Sequence, residues 1–231
     1  MNVGVIILCR YDSTRLYGKA LKKIYNRSIL EWITLFISEC SKIDNICVAT
    51  SNKKTDDIIE EFCNNHNISC FRGSKENVAL RFLNCAKKQN LDYAFRINGD
   101  NLFVEPTLLS NMIDIVQQEA FDFISNVEGR SYPYGMSMEL LNVSFYERIY
   151  NDFINERHFE HVTLYLYENT KLGNRKYLKN TEWKYLPGIH LAIDTNEDFK
   201  KAENIFKYAD GDYQRINISF LNKMAKEGYL S

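Results

Sequence analysis

Hydrophobic and polar positions in the first half of the chain fall into blocks of two kinds. Short continuous apolar runs occupy residues 3–9, 45–51 (with Ile46, Cys47, Val48 and Ala49), 68–71 and 93–97. Runs of this length bounded by polar residues suit strands covered on both faces. Between them, apolar residues recur at helical spacing. Ser28 offers a cap for a helix over 29–40, in which Ile29, Ile33, Phe36, Ile37 and Cys40 share a face. Thr55 opens a second helix with Ile58, Ile59, Phe62 and Cys63 inward; 77–88 groups Ala79, Phe82, Leu83 and Ala86; 105–118 groups Leu108, Leu109, Met112 and Val116. Four β–α units in succession predict an α/β fold with a mainly parallel sheet, right-handed crossovers and helices on both faces. Ligands of such sheets bind outside the carboxyl ends of the strands, so the loops that follow strands are where chemistry is expected.

The second half is less regular. Residues 121–125 and 138–141 read as strands, 142–154 and 158–168 as helices, and 175–179 and 189–193 as further strands. Residues 196–208 form a helix with Phe199, Ala202, Ile205 and Phe206 on one face. No repeat or linker divides the chain. It reads as one domain over 1–231, with a small excursion around 126–145 marked by the run from Gly129 to Gly135.

Composition narrows the classes. With 231 residues the chain can bury a full core without staples. A net charge of −1 argues against a general nucleic-acid binder, and 45% hydrophobic with 26% charged residues argues against disorder. The first apolar run is too short to cross a membrane and passes into Arg10 and Asp12, so it is read neither as a span nor as a signal peptide. Six cysteines without a C-x-x-C pair are expected to be reduced, buried thiols of a cytoplasmic protein.

Candidate chemistry collects at strand ends. The first strand runs into Arg10-Tyr-Asp-Ser-Thr-Arg15-Leu-Tyr-Gly18-Lys19, three cations with Ser13, Thr14 and Gly18 between them. At the carboxyl edge of a parallel sheet this makes a polyanion cradle; a solvated loop is the plainer alternative. Neither a P-loop nor a G-x-G-x-x-G pattern is present, so a triphosphate reader would draw its cations from side chains. The fourth strand delivers Asp100 behind Gly99, either as a Mg²⁺ holder or as a turn cap. Asp194 stands at another strand's end, as a helix cap or as the second carboxylate on one divalent ion. Arg72-Gly73-Ser74 ends the third strand, as a nucleotide contact or a plain turn. Glu139 is on a solvated face or in a pocket. His158, Glu160 and His161 look like metal ligands, but without an H-E-x-x-H pattern they are expected at the surface or against a partner.

In order, these segments resemble the cytidylyltransferase-like nucleotidyltransferases of bacterial surface-sugar synthesis, which include the SpsF-like spore-coat-polysaccharide proteins and the CMP-Kdo and CMP-acylneuraminate synthetases. The family opening A-R-x-x-S-T-R-L-P-G-K-x-L is matched from Cys9 to Leu21. F-R-G-S-x-x-x-V-x-x-R-F is matched by Phe71 to Ser74, Val78, Arg81 and Phe82. R-I-T-G-D is matched from Arg96 to Asp100, P-x-G-x-x-x-E from Pro133 to Glu139, E-H-V-T-x-Y from Glu160 to Tyr165, and D-T-x-E-D from Asp194 to Asp198. The resemblance implies a three-layer α/β/α sandwich of the GT-A, Rossmann-like type, Mg²⁺ held by Asp100 and Asp194, and a homodimer. It implies that Arg10, Arg15, Lys19 and Asp100 carry the chemistry. Cys9, Ser13, Arg72, Gly73, Arg96 and Asn98 would join them around the nucleotide, with Tyr134, Glu139, Glu160 and His161 on the acceptor side. CTP is the implied nucleotide and a small sugar-like molecule the acceptor; neither nucleic acid nor membrane is an expected partner. Tyr17 in place of the family proline is expected to loosen the loop, and Asn98 replaces a threonine. A GT-A glycosyltransferase, which would use Asp100-Asn101-Leu102 as a poor D-x-D pair, and a non-catalytic sugar-nucleotide-binding protein are the alternative readings.

Overall fold

The computed structural model describes residues 1–13 and 15–230. β1 (Val3–Leu8) leads through a loop to a two-stranded hairpin, β2 (Lys23–Ile24) and β3 (Arg27–Ser28). α1 (Ile29–Ser38), β4 (Asn45–Ser51), α2 (Asp57–Asn65), β5 (Ser69–Gly73), α3 (Val78–Lys88), β6 (Tyr93–Asn98) and α4 (Pro106–Gln118) follow. The second half adds β7 (Phe123–Ser125), β8 (Glu139–Asn142), α5 (Val143–Tyr150), α6 (Glu156–Glu160), α7 (Leu164–Glu168), β9 (Arg175–Tyr177), α8 (Asn196–Tyr208) and α9 (Ile218–Lys226).

Seven strands form one sheet in the order β5-β4-β1-β6-β8-β7-β9. The first four are parallel; β8 runs antiparallel to both β6 and β7, and β9 is parallel to β7. The central strand shows why its sequence is apolar throughout. Val3, Val5 and Ile7 enter one core, and Ile6 and Leu8 enter the other. The first core is closed by α1, α2, α4, α8 and α9, and the second by α3, α5, α6 and α7. The result is a three-layer α/β/α sandwich with a mostly parallel sheet. Chain order runs outward from β1 to β4 and β5, then crosses to β6 on the other side of β1. The crevice between the carboxyl ends of β1 and β6 is therefore the switch point at which ligands of such sheets bind.

Helix starts follow local chemistry. Ser28 with Glu31, and Thr195 with Asp198, form reciprocal capping boxes, and Asn77, Asn142 and Asn217 cap α3, α5 and α9.

Several expectations are corrected. Residues 189–193 form no regular strand; a single bridge joins Tyr134 and His190. Gly135, at φ +91°, lies so close that a Cβ there would stand 2.2 Å from the Ala192 nitrogen, and the crossing of the two segments stops the ladder. The helix expected over 158–168 is two short ones, because His161 turns extended at φ −109°, ψ 99°. The helix over 142–154 ends at Tyr150, leaving Ile154 exposed. Ile58 is also exposed, since α2 begins after a 3₁₀ turn that shifts its inner face to Ile59 and Cys63. Helix α9 was not anticipated. In the region around 126–145, a 3₁₀ turn at Glu128–Arg130 leaves the sheet and β8 returns to it.

Candidate active site

A cleft of about 290 Å³ opens at the β1/β6 crevice. Its floor is built by a close approach that only glycine permits. The Gly99 amide donates to the Leu8 carbonyl at 2.9 Å, and a Cβ on Gly99 would lie 2.4 Å from the Cys9 Cβ. That contact joins the loop carrying Arg10 to the turn carrying Asp100.

The loop after β1 is folded back on itself. Gly18, at φ +66°, donates to the Tyr11 carbonyl at 2.9 Å, and a side chain there would press on the Tyr11 ring. Tyr17 packs edge-on against Tyr11 with centroids 5.0 Å apart, so the loop is held by an aromatic pair where the family has proline. Asp56, fully buried, accepts from the Tyr11 amide at 2.7 Å and the Ser51 amide at 3.0 Å, and also from the Ser51 hydroxyl. One carboxylate thus ties the start of the loop to the end of β4. Thr14, expected in the same cradle, lies outside the described residues.

The charged centre is compact. The Lys19 ammonium donates to Asp100 Oδ2 at 2.9 Å, Asp194 Oδ1 at 3.1 Å and the Ile193 carbonyl at 3.1 Å. Arg15 Nη2 lies 2.9 Å from the same Asp194 oxygen. Asp194 reaches this point without a regular strand. The Leu191 amide donates to the Tyr134 carbonyl at 2.7 Å and the Ile193 amide to the Asp100 carbonyl at 3.1 Å, pinning the segment on both sides. Asp198 then accepts from the Asp194 amide at 3.1 Å and the Thr195 amide at 2.8 Å. Burial pushes the Asp198 carboxyl up, but hydrogen bonds from the Thr195 hydroxyl and from these amides outweigh it and hold it below its ordinary value.

The opposite wall is a buried network. Arg96 Nη1 donates to Glu139 Oε2 at 2.9 Å, Tyr167 donates to Glu139 Oε1 at 2.7 Å, and the Tyr167 oxygen lies 2.6 Å from Ser125 Oγ. Glu139 is 1% exposed. Burial, reinforced by the Glu139 carboxylate, raises the Tyr167 phenol far above its usual range, so it serves as a neutral donor. Arg96 Nε is buried without a partner among the described residues.

Cys9, Arg10, Ser13, Arg15, Lys19, Arg96, Asn98, Asp100, Glu160 and His161 line the cleft. Asp194 adjoins it through Lys19, and Glu139 stands behind Arg96. Cys9 is a buried wall, its thiol pushed up to about 12 chiefly by burial. Arg72 and Gly73 do not line it. The Arg72 guanidinium is taken by Asp57 and Glu60, at 2.8 and 2.7 Å, and by the Ser51 and Lys53 carbonyls. Gly73 packs on Arg81. Tyr134 is also outside, stacked on His190 under the Arg130 guanidinium. His158, expected at the surface or against a partner, is instead buried and bonded to Glu168 at 2.7 Å.

Sequence reasoning quoted Arg81 as a motif match but did not assign it to the site. It is 3% exposed, lines the cleft, donates to the Ser74 carbonyl at 2.6 Å and leaves Nε unpaired among the described residues. Burial and the nearby Arg10 pull its pKa down. Its signal was a cation among the apolar residues of α3. Asp56 gave no signal, because acids are common at helix starts. A second cleft of about 540 Å³, lined by Lys75, Asn77 and Phe159, shares Arg10, Val78 and Glu160 with the first.

Five cationic side chains (Arg10, Arg15, Lys19, Arg81 and Arg96) face two carboxylates, Asp100 and Glu160, in the cleft lining. This balance suits a polyanion. Asp100 and Asp194 already share one cation through hard oxygens, and no third ligand-type side chain joins them among the described residues. That donor set fits a divalent ion that keeps waters and phosphate oxygens. It does not resemble a D-x-D pair, because the second ligand position is Leu102, a fully buried apolar side chain with no oxygen to offer.

Sheet order, switch-point cleft and cationic lining define the class as a nucleotidyltransferase-type α/β enzyme. The family model for cytidylyltransferases matches residues 4–224, and the chain belongs to that family. Among its relatives, an uncharacterised protein of Methanocaldococcus jannaschii is 35% identical over 226 residues, 96% of this chain and 91% of that one. The spore coat polysaccharide biosynthesis protein SpsF of Bacillus subtilis is 31% identical over 225 residues, 95% of this chain and 92% of that one. A solved cytidylyltransferase structure from Leptospira borgpetersenii superposes with a TM-score of 0.91 at 25% identity, covering 100% of this chain and 97% of the other. Among the described residues no helix is long and apolar enough to cross a membrane.

Proposed function

We propose that the protein transfers CMP from CTP to a sugar, sugar acid or sugar phosphate, releasing pyrophosphate, in the synthesis of surface polysaccharide or glycoconjugate. The observation that carries this reading is the Lys19 ammonium held between Asp100 and Asp194 on the floor of an arginine-lined cleft. The family and the SpsF relative support the choice of cytosine and of a sugar-like acceptor.

In the reaction an acceptor oxygen bonds to the α-phosphorus while the bond from that phosphorus to the bridging oxygen breaks. Lys19, Arg15 and Arg10 neutralise charge on the triphosphate and the departing pyrophosphate. Arg96, fixed by Glu139, would orient the acceptor with His161 from the other wall. An ionised phosphate acceptor needs no base. A hydroxyl acceptor loses a proton, and Glu160 lies in the lining to take it. Asp100 and Asp194 would hold Mg²⁺, which when bound supplies Lewis-acid polarisation of phosphate oxygens.

The test is the melting temperature with CTP, GTP, UTP or ATP, each with and without Mg²⁺, followed by pyrophosphate release from an acceptor panel. The expected result is a shift with CTP that depends on Mg²⁺. A larger shift with another triphosphate changes the base. A shift only with a sugar nucleotide overturns the reading in favour of a glycosyltransferase or a binding protein.

A further inference from the structure

The carboxylate pair comes with its own counter-charges. Asp100 and Asp194 bring two negative charges, and Lys19 and Arg15 bring two positive ones within 3.1 Å of them. Lys19 is the tighter partner. Its ammonium has three protons and three acceptors in Asp100, Asp194 and the Ile193 carbonyl, so its donors are fully used, and its side chain is only 14% exposed. Arg15 is held by one ion pair among the described residues and is 67% exposed.

The group as a whole is close to neutral. A divalent cation arriving by itself meets no net negative charge there. To gain both carboxylates it must displace an ammonium that already makes three bonds. A triphosphate changes both terms, because it adds negative charge to the cleft and offers Lys19 and Arg15 phosphate oxygens in place of the carboxylates.

We infer that Lys19, assisted by Arg15, makes Asp100 and Asp194 a conditional metal site that binds a divalent cation tightly only when a nucleoside triphosphate is in the cleft. This rests on the reading that the cleft takes a triphosphate. It gives the protein a binding order in which triphosphate enters before or together with the metal, and metal alone is refused. The lysine that guards the carboxylates is then the one freed to meet the phosphates.

The test uses Mn²⁺ as the metal probe, with free ion followed by electron paramagnetic resonance, and α,β-methylene CTP as a triphosphate that cannot be cleaved. With Mn²⁺ alone, Lys19→Met is expected to bind about tenfold tighter than wild type, equivalent to about 1.4 kcal/mol. Arg15→Met is expected to gain about two- to threefold, since an exposed charge is screened. Lys19→Met combined with Asp194→Asn should lose the gain, which places the bound ion on that pair. Should Lys19→Met fail to fold in a melting scan, Lys19→Gln carries the same test with a neutral donor retained. Mn²⁺ affinity that is unchanged or weaker without Lys19 overturns the inference. Wild type titrated with α,β-methylene CTP in the presence of Mg²⁺ tests the underlying reading separately. No binding there overturns the triphosphate assignment, whereas binding there without the Mn²⁺ gain overturns only the guarding role.

Discussion

The cleft's two walls use the same charged groups in opposite ways. On one side Arg15, Lys19, Asp100 and Asp194 share contacts, with side chains 67%, 14%, 21% and 14% exposed. On the other, Arg96 and Glu139 form one pair, 17% and 2% exposed at their side chains, locked by the Tyr167 phenol. The shared group can exchange partners, because each charge keeps an alternative opposite charge or dipole within reach. The buried pair cannot, since separating it leaves a charge without water or counter-ion. The shared group is therefore suited to following charge that arrives and departs, as the proposed reaction requires, and the buried wall to holding one donor in one direction.

This contrast can be broken experimentally. Asp194→Asn should lower turnover by about two orders of magnitude or more, from lost charge stabilisation, while the variant keeps a cooperative melting transition, since Lys19 retains Asp100 and the Ile193 carbonyl. Normal turnover would remove Asp194 from the site. Glu139→Leu should do the reverse first, costing about 3–5 kcal/mol in urea denaturation by stranding the Arg96 guanidinium. The double change Arg96→Met with Glu139→Leu should recover most of that loss, and equal stability of the single and double variants would refute the pairing account. Tyr167→Phe should cost about 1 kcal/mol and weaken acceptor use more than CTP binding, read as a rise in acceptor KM at unchanged CTP affinity. The smallest effect concerns Cys9. Its thiol is pushed up to about 12, so at pH 8 almost none is thiolate and alkylation in the native state should be slow. Cys70 is partly exposed and its pKa is lowered, first by a hydrogen bond from Cys63, so it should be labelled before Cys9 in a mass-spectrometric time course.

Much of this was legible in the residues. The four β–α units were readable because β1, β4 and β6 run through the covered middle of the sheet and each helix is covered on one face. The first cradle was readable because Arg10, Arg15 and Lys19 are adjacent in sequence and follow β1 directly. Asp100 and Asp194 could be paired because each ends a segment that runs to the same sheet edge. The wall of Arg96, Glu139 and Tyr167 was only half readable. Arg96 and Glu139 were singled out separately, but their contact depends on β8 lying antiparallel beside β6, with Arg96 and Glu139 in register. Arg72 looked like a site residue by motif, yet its donors are consumed by Asp57 and Glu60. Competition for a cation by acids fifteen and twelve residues away is not visible in a strand-end pattern.

The chain by itself determined the order of its elements, the parallel half of the sheet and the loops that carry the cations, because local periodicity and turn chemistry act over a few residues. Tertiary structure alone decided how the charges are spent. Glycine 99 brings β1 and β6 into contact, Gly135 crosses the segment that presents Asp194, and a three-bonded lysine closes the carboxylate pair. These outcomes depend on distances between residues up to 175 positions apart. Hydrogen bonds form only at contact distance and ion pairs weaken with separation and screening, so partner choice is settled only when packing sets those distances.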